Sequence, residues 1–195
     1  MINVNKKLSC INKKICVITG HTSGIGKALY DYFSNLEDFT VIGLASSNGF
    51  HLAEQYDDII SIIAGCDLFI NNAYYLDYQE RFLIEVEGKV PHIITVGSIA
   101  GLLINVATKK QEYVHFKHAL SSHHTALSYI SSSKLLLLNV GLAENSSTEP
   151  GCTFNDIVEV CAFWLSSPSF NTVTFNLPLT RLNTELINIE FGSHF

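Results

Sequence analysis

Six short runs of nearly unbroken apolar residues, each separated from the next by helical periodicity, restrict this chain more than any other property. The runs are KICVIT, FTVIGLA, DLFINNA, HIITVGS, KLLLLNVG and NTVTFNLPL. Between them lie the helical patterns GKALYDYFSNL, EQYDDIISIIAGC and QERFLIEVEGK, a long one within 112–134, and FNDIVEVCAFWLSS. In the first of these, Ile25, Leu29, Tyr32, Phe33 and Leu36 fall on one helix face. A strand that is apolar on both sides must be covered on both sides, which alternating helices accomplish around a parallel sheet. The predicted class is therefore α/β, a doubly wound parallel sheet of Rossmann-like form, in a single domain spanning 1–195. Ligands of such sheets bind at the carboxyl ends of the strands. That singles out the turns after Thr19, Leu44, Ile70, Val96 and Val140.

Composition narrows the partners. Hydrophobic residues are 47% and charged residues 15% of the chain, which excludes disorder and allows a substantial core. The net charge of −6, with lysines clustered in pairs but forming no long basic stripe, argues against a nucleic-acid partner. No apolar run has the length of a membrane span, and MINVNKKLSC lacks a signal-peptide core. Five scattered cysteines without metal-ligand spacing are expected to be reduced thiols in a cytoplasmic protein. The adjacent His123 and His124 point in different directions on a helix and are expected to be solvated rather than to bind metal.

The turn after the first run reads TGHTSGIGKA, residues 19–28. Gly20, Gly24 and Gly26 follow a strand and open a helix, which lets backbone approach a pyrophosphate whose charge meets the helix N-terminus. A nucleoside-triphosphate P-loop is the rival reading. It requires four residues between its glycines where this chain has five between Gly20 and Gly26, and a Ser/Thr where Ala28 stands. Dinucleotide binding is favoured, with Thr22, Ser23 and Ile25 completing the turn.

TGHTSGIG resembles the cofactor loop TGxxxGxG of the short-chain dehydrogenase/reductase family. INNA, residues 70–73, resembles that family's NNAG, and VGSIAG, residues 96–101, resembles the strand end carrying its active-site serine, here Ser98. The motifs run in order from about Lys14 to Gly141. The resemblance implies hydride transfer between a nicotinamide and a carbonyl or alcohol. It further implies a tyrosine as general acid/base, a lysine that lowers its pKa and contacts the nicotinamide ribose, and a serine that orients the substrate oxygen. It places Asn71, Asn72 and Ala73 beside the adenosine side of the cofactor.

Two tyrosines precede lysines in EYVHFKHALSSHHTALSYISSSK: Tyr113 before Lys117, and Tyr129 before Lys134. A phenol with a pKa of about 10 needs a nearby cation to act as a base at neutral pH, so the lysine must share its helix face. At about 3.6 residues per turn, positions four apart nearly align and positions five apart do not. Tyr113 and Lys117 meet the condition; Tyr129 and Lys134 fail it. Assigning the helix to Tyr113 also frees KLLLLNVG as the next strand. Tyr129 is expected to pack near the helix end, and Ser131 to Ser133 to form a turn.

Several features depart from the family pattern. Tyr74 stands in place of the NNAG glycine, putting a ring at the cofactor groove. GLASSNG, at the end of the second strand, lacks an acid for a ribose diol and an arginine for a 2′-phosphate. Ser46 and Ser47 can hydrogen-bond a phosphate, which puts NADP(H) ahead of NAD(H). His51, with Leu52, lies near the family's adenine-contacting aspartate, either replacing it or serving as a loop residue. Between Tyr74 and Val90 there is no asparagine of the kind that supports the family's active site, and the short segment leaves the usual oligomer interface absent or remodelled. A homo-oligomer is allowed rather than required.

The expected function is an NAD(P)-dependent oxidoreductase acting on a small carbonyl or alcohol, with Ser98, Tyr113 and Lys117 catalytic. Its pocket is expected to include Tyr74, Tyr75, Leu102 and Leu103, with residues 141–154 as a small substrate-side loop. The competing expectation is a non-catalytic dinucleotide-binding scaffold or sensor of the same fold.

Overall fold

The computed structural model describes residues 13–51, 54–74, 78–102, 111–141, 152–177 and 189–191. In chain order these form β1 (Lys14–Thr19), α1 (Gly24–Ser34), β2 (Phe39–Leu44), α2 (Tyr56–Ala64), β3 (Leu68–Asn71) and α3 (Tyr78–Val86). There follow β4 (His92–Ser98), α4 (Gln111–Ser128), β5 (Lys134–Val140), α5 (Phe154–Ser166), β6 (Thr172–Asn176) and β7 (Ile189–Phe191). The strands make one sheet in the order β2-β1-β3-β4-β5-β6-β7. Pairing is parallel from β2 through β6, and β7 closes the edge antiparallel to β6. The six predicted strands are present, and the short β7 is an addition that no apolar run announced.

Side-chain alternation along each strand divides the core into two layers. Ile18, Ile70, Ile94 and Leu136 face α1 and α5, where they meet Leu29, Phe33, Ile157 and Trp164. Val17, Phe69, Ile93 and Leu135 face the other way, onto Ile59 and Ile63 of α2, Phe82 and Val86 of α3 and Leu120 of α4. Burial on both faces is why these strands read as continuous apolar runs rather than alternating ones.

The chain order reverses at β1. From β1 it winds outward to β2, and then returns so that β3 lies on the other flank of β1. Diverging connections at that point leave a crevice above the carboxyl ends of β1 and β3. The predicted glycine turn and the INNA segment border this crevice.

The end of α4 resolves the YISSSK segment. The helix stops at Ser128, residues 129–133 form a turn, and Tyr129 is 69% exposed rather than packed at the helix end. Lys134 starts β5 and donates through Nζ to the carbonyls of Trp164 and Ser167, both at 2.7 Å, at the end of α5. A cation on the last carbonyls of a helix satisfies orphan acceptors and complements the dipole. His124 is also a correction. It is 1% exposed, on the sheet-facing side of α4, and burial pushes its imidazole down to about 4. Its neighbour His123 points outward and meets Glu80 Oε1 at 2.7 Å.

Candidate active site

The glycine turn is built by close approach of backbone. Gly20 and Gly24 have φ of +70° and +55°, a region that disfavours side chains. Gly26 has an ordinary φ, but a Cβ there would overlap the Gly20 carbonyl and the Asn72 amide. Nothing lies within 4 Å of a Cβ built at Gly24, so this part of the turn faces open space.

Thr19 and Asn72 tie the two flanks of the crevice together. Asn72 Nδ2 donates to the carbonyls of Thr19 at 2.9 Å and Gly20 at 3.2 Å. The backbone amides of Asn72 and Ala73 donate to Thr19 Oγ1 at 3.1 and 3.0 Å. Asn72 thus braces the glycine turn from β3.

Between the turn and the end of β2 lies a cavity of about 340 Å³. Gly20, Thr22 and Ser23 line one side of it, and Ala45, Ser46 and His51 another. Glu54 contributes a carboxylate that the sequence reading did not single out, and Ala73 and Tyr74 form the end nearest α4. Ser47 sits in the adjoining 3-10 turn, Ser46–Asn48, exposed and off the cavity wall. That turn is shaped by Asn48, whose Oδ1 accepts from Ala45 N and whose Nδ2 donates to the Gly43 carbonyl, both at 2.8 Å. Leu52 lies outside the described residues, as do Tyr75, Leu103 and residues 142–151.

The second half of the site lies at the ends of β3 and β4 beneath α4. Lys117 is 3% exposed, and its Nζ donates to Gln79 Oε1 at 2.8 Å and to the Val96 carbonyl at 3.0 Å. Burial lowers its ammonium pKa to about 8. Gln79, fully buried at the start of α3, donates through Nε2 to the carbonyls of Asn71 at 2.7 Å and Val96 at 2.8 Å. Asn71 Nδ2 in turn donates to the Gln79 carbonyl at 2.6 Å. Sequence reasoning looked for an asparagine in this segment and passed over the glutamine. The available signal was a helix-starting carboxamide on the same face as Phe82, Leu83 and Val86, where a polar residue needs a partner.

Three rings surround the lysine head. Its Nζ lies 5.6 Å from the ring centroid of Tyr74, 5.8 Å from Phe116 and 5.9 Å from Tyr113. Tyr74 meets Tyr113 edge-on at 5.1 Å and Phe116 at 5.4 Å. Tyr113 is half-buried on α4, one turn before Lys117, so the predicted pair does share a helix face.

Ser98 ends β4 with 8% of its surface exposed, and its Oγ accepts from Ala100 N at 3.2 Å. The 3-10 turn that follows it, Ile99–Leu102, is fastened to α4. A Cβ on Gly101 would come within 2.6 Å of the Lys117 carbonyl, and His118 Nδ1 lies 3.0 Å from the Gly101 carbonyl. This contact draws the end of β4 against the turn of α4 that holds Lys117.

Among the described residues there is no cluster of His, Cys, Asp or Glu able to hold a metal ion. No described helix is long and apolar enough to cross a membrane.

Comparison with known proteins separates sequence from fold. No family model and no curated protein sequence matches this chain. Solved structures do. A short-chain dehydrogenase/reductase superfamily protein from Agrobacterium tumefaciens with bound NAD is 12% identical with a TM-score of 0.64, over 84% of this chain and 77% of that one. A short-chain dehydrogenase from Burkholderia cenocepacia in complex with NADP is 14% identical with a TM-score of 0.63, over 86% of this chain and 97% of that one. The UDP-N-acetylglucosamine 4-epimerase of Bacillus cereus is 14% identical with a TM-score of 0.65, over 85% and 75% of the two chains. The ordered motifs, the crevice at β1 and these likenesses agree that the chain has the fold of the short-chain dehydrogenase/reductase superfamily.

Proposed function

We propose that the protein is a nicotinamide-dinucleotide-dependent oxidoreductase that interconverts a small carbonyl compound and its alcohol. The observation that carries the reading is the buried Lys117 ammonium, held by Gln79 and Val96 one helical turn from Tyr113, at the strand ends that also carry Ser98. A lysine that served structure alone would keep its head near the surface, as the part-exposed Lys134 does, because burying an ammonium costs on the order of several kcal/mol. Holding a cation under a tyrosine ring serves chemistry that needs phenolate character.

The residues fit a dinucleotide. Gly24 offers open backbone at the N-terminus of α1 for a pyrophosphate, and the 340 Å³ cavity beside it has the dimensions and mixed polarity of an adenosine subsite. Gly20, Thr22, Ser23, Gly24, Ile25 and Gly26 would hold the pyrophosphate side, with Ser46 and His51 at the adenosine end. Asn71, Asn72 and Ala73 would form the floor. When bound, the nicotinamide supplies or accepts the hydride.

In carbonyl reduction the Tyr113 hydroxyl gives its proton to the carbonyl oxygen as the alcohol forms. In the reverse direction the phenolate takes the alcohol proton. Lys117, through its charge, favours the phenolate and can contact the ribose. Ser98 Oγ accepts from Ala100 N, which leaves its own proton to donate to the substrate oxygen. NADP(H) is placed ahead of NAD(H), because β2 ends without an acidic residue and Ser46 faces the cavity. Glu54, on the cavity wall, is the carboxylate a 2′-phosphate must avoid.

A second reading, a dinucleotide-binding protein without turnover, is favoured by one observation: the Tyr74 ring covers Lys117 and abuts Tyr113. Fluorescence titration with NADH and NADPH tests both readings at once. Binding of either supports the shared premise, and binding of neither refutes both. Turnover of any member of a carbonyl and alcohol panel, lost in Tyr113→Phe, then selects the enzyme.

A further inference from the structure

Tyr74 occupies the junction between the two halves of the site. It lines the end of the cavity beside the glycine turn, and its ring also lies over the Lys117 head. An ammonium has three protons to give. Two of those on Lys117 go to Gln79 Oε1 and the Val96 carbonyl. Among the described residues the rings of Tyr74, Phe116 and Tyr113 lie between 5.6 and 5.9 Å from Nζ, and the residue is 3% exposed. A hydroxyl oxygen has no open approach to Nζ while Tyr74 keeps this position.

The three rings are not equivalent. Tyr113 and Phe116 belong to the same helix as Lys117 and are carried by it. Tyr74 comes from the segment after β3 and is 47% exposed. It contacts Tyr113 and Phe116 through ring edges at 5.1 and 5.4 Å. A half-exposed ring held by edge contacts can rotate about χ1 into solvent without opening the core.

We propose that Tyr74 is a swinging cap over Lys117. It closes the end of the groove nearest the catalytic tyrosine, and a ribose diol engages Lys117 only after the ring has turned outward. Tyr74 thereby sets which nucleotides bind well. Those confined to the adenosine end can bind with the ring in place at the end of the cavity, whereas those carrying a second ribose must displace it. The inference rests on the dinucleotide reading above, and it adds to that reading a residue that selects among nucleotides.

If the uncapped arrangement is populated about one part in ten, the apparent affinity for the full dinucleotide falls about tenfold, because only the competent fraction binds. Tyr74→Gly is then expected to bind NADPH about tenfold more tightly than the wild type. It should lose the slow, concentration-saturating phase of NADPH binding in stopped-flow fluorescence. Its affinity for 2′,5′-ADP, read by calorimetry, should change far less than its affinity for NADPH. Tyr74→Phe, which keeps the ring, should behave as the wild type throughout.

A second measurement needs no nucleotide. Labelling of Lys117 by a small amine-reactive reagent, followed by peptide mass spectrometry, should accelerate about tenfold in Tyr74→Gly and not in Tyr74→Phe, in proportion to the uncapped fraction. Wild-type labelling rates in Tyr74→Gly, or wild-type NADPH affinity and kinetics in a variant that still binds 2′,5′-ADP, would overturn the cap alone. Failure of both the wild type and Tyr74→Gly to bind 2′,5′-ADP, NADH and NADPH would bring down the dinucleotide reading, and with it the cap's role in nucleotide choice.

Discussion

The Lys117 ammonium and the Gln79 carboxamide meet at 2.8 Å, at the carboxyl ends of β3 and β4. Through Gln79 the lysine is linked to the Asn71 carbonyl, and both side chains share the Val96 carbonyl as an acceptor. One glutamine thus connects two strand ends to the helix carrying the candidate acid/base. Removing it by Gln79→Leu leaves buried polar groups on Asn71 and Lys117 short of partners, at about 1–3 kcal/mol for each. Urea denaturation is expected to report a loss in that range, together with loss of turnover. An unchanged midpoint would contradict the bracing role.

Lys117 makes stability depend on alkaline pH in a defined direction. In the unfolded chain a lysine titrates at about 10.4. In the folded protein burial lowers Lys117 to about 8. Between those values the unfolded state holds more protons, so this group contributes stability as pH rises and withdraws it as pH falls. The buried Cys16, Cys66 and Cys161 thiols, raised chiefly by burial, act in the opposite sense over part of this range. Comparing wild type with Lys117→Met cancels the thiols. The wild type should gain on the variant between about pH 8 and about pH 10.4, the span between the two pKa values, in denaturation midpoints.

Gly24 and Gly26 of the turn differ in kind. Alanine at Gly26 would collide with the Gly20 carbonyl and the Asn72 amide, so the turn itself has to move. Overpacking of this type costs about 1–3 kcal/mol. Gly26→Ala is expected to lose nucleotide binding as well. Gly24→Ala meets no atom within 4 Å, and its cost is the left-handed φ of +55°. That conformation costs about 1–2 kcal/mol for an L-residue. Equal nucleotide affinities in the two variants would disprove the distinction.

The competing tyrosines give the plainest kinetic contrast. Tyr113→Phe is expected to reduce turnover by a factor of about 10²–10⁴, the range of a lost general acid/base. Tyr129→Phe, at a position 69% exposed in a turn, is expected to leave turnover unchanged. Steady-state rates of the two variants decide the assignment.

Lys134, the lysine that follows Tyr129, ties β5 to the end of α5. Lys134→Met removes two hydrogen bonds to the carboxyl end of α5, at Trp164 and Ser167. Bonds to charged groups contribute about 1.5–3 kcal/mol. Thermal or urea unfolding should register a loss no larger than this, since the site is partly exposed, while nucleotide binding is retained.

Much of the architecture was legible because its causes are local. Strand-length apolar runs, helical periodicity and a glycine turn report covalent geometry and burial along a continuous segment, and β1, α1, β4, β5 and α5 follow them closely. The spacing of Tyr113 and Lys117 likewise follows from helix pitch alone. What local pattern misjudged were residues whose environment comes from elsewhere in the chain. His124 reads as a polar helix residue, but the sheet-facing side of α4 buries it. Tyr129 reads as a packing residue, but the helix ends before it and leaves it 69% exposed. The strand β7 has no periodic signature and exists because β6 offers it an edge.

By itself, the sequence determined the strand-and-helix alternation, the position of the glycine turn, and the shared helix face of Tyr113 and Lys117, since each depends on spacing within one element. The tertiary structure alone decided what each side chain meets. It brought Gln79 of α3 under Lys117 of α4, laid Tyr74 across the groove, set Glu54 into the cavity wall and turned Lys134 toward α5. These are contacts between segments far apart in the chain, fixed by sheet order and crossover geometry, and no periodicity within a segment encodes them.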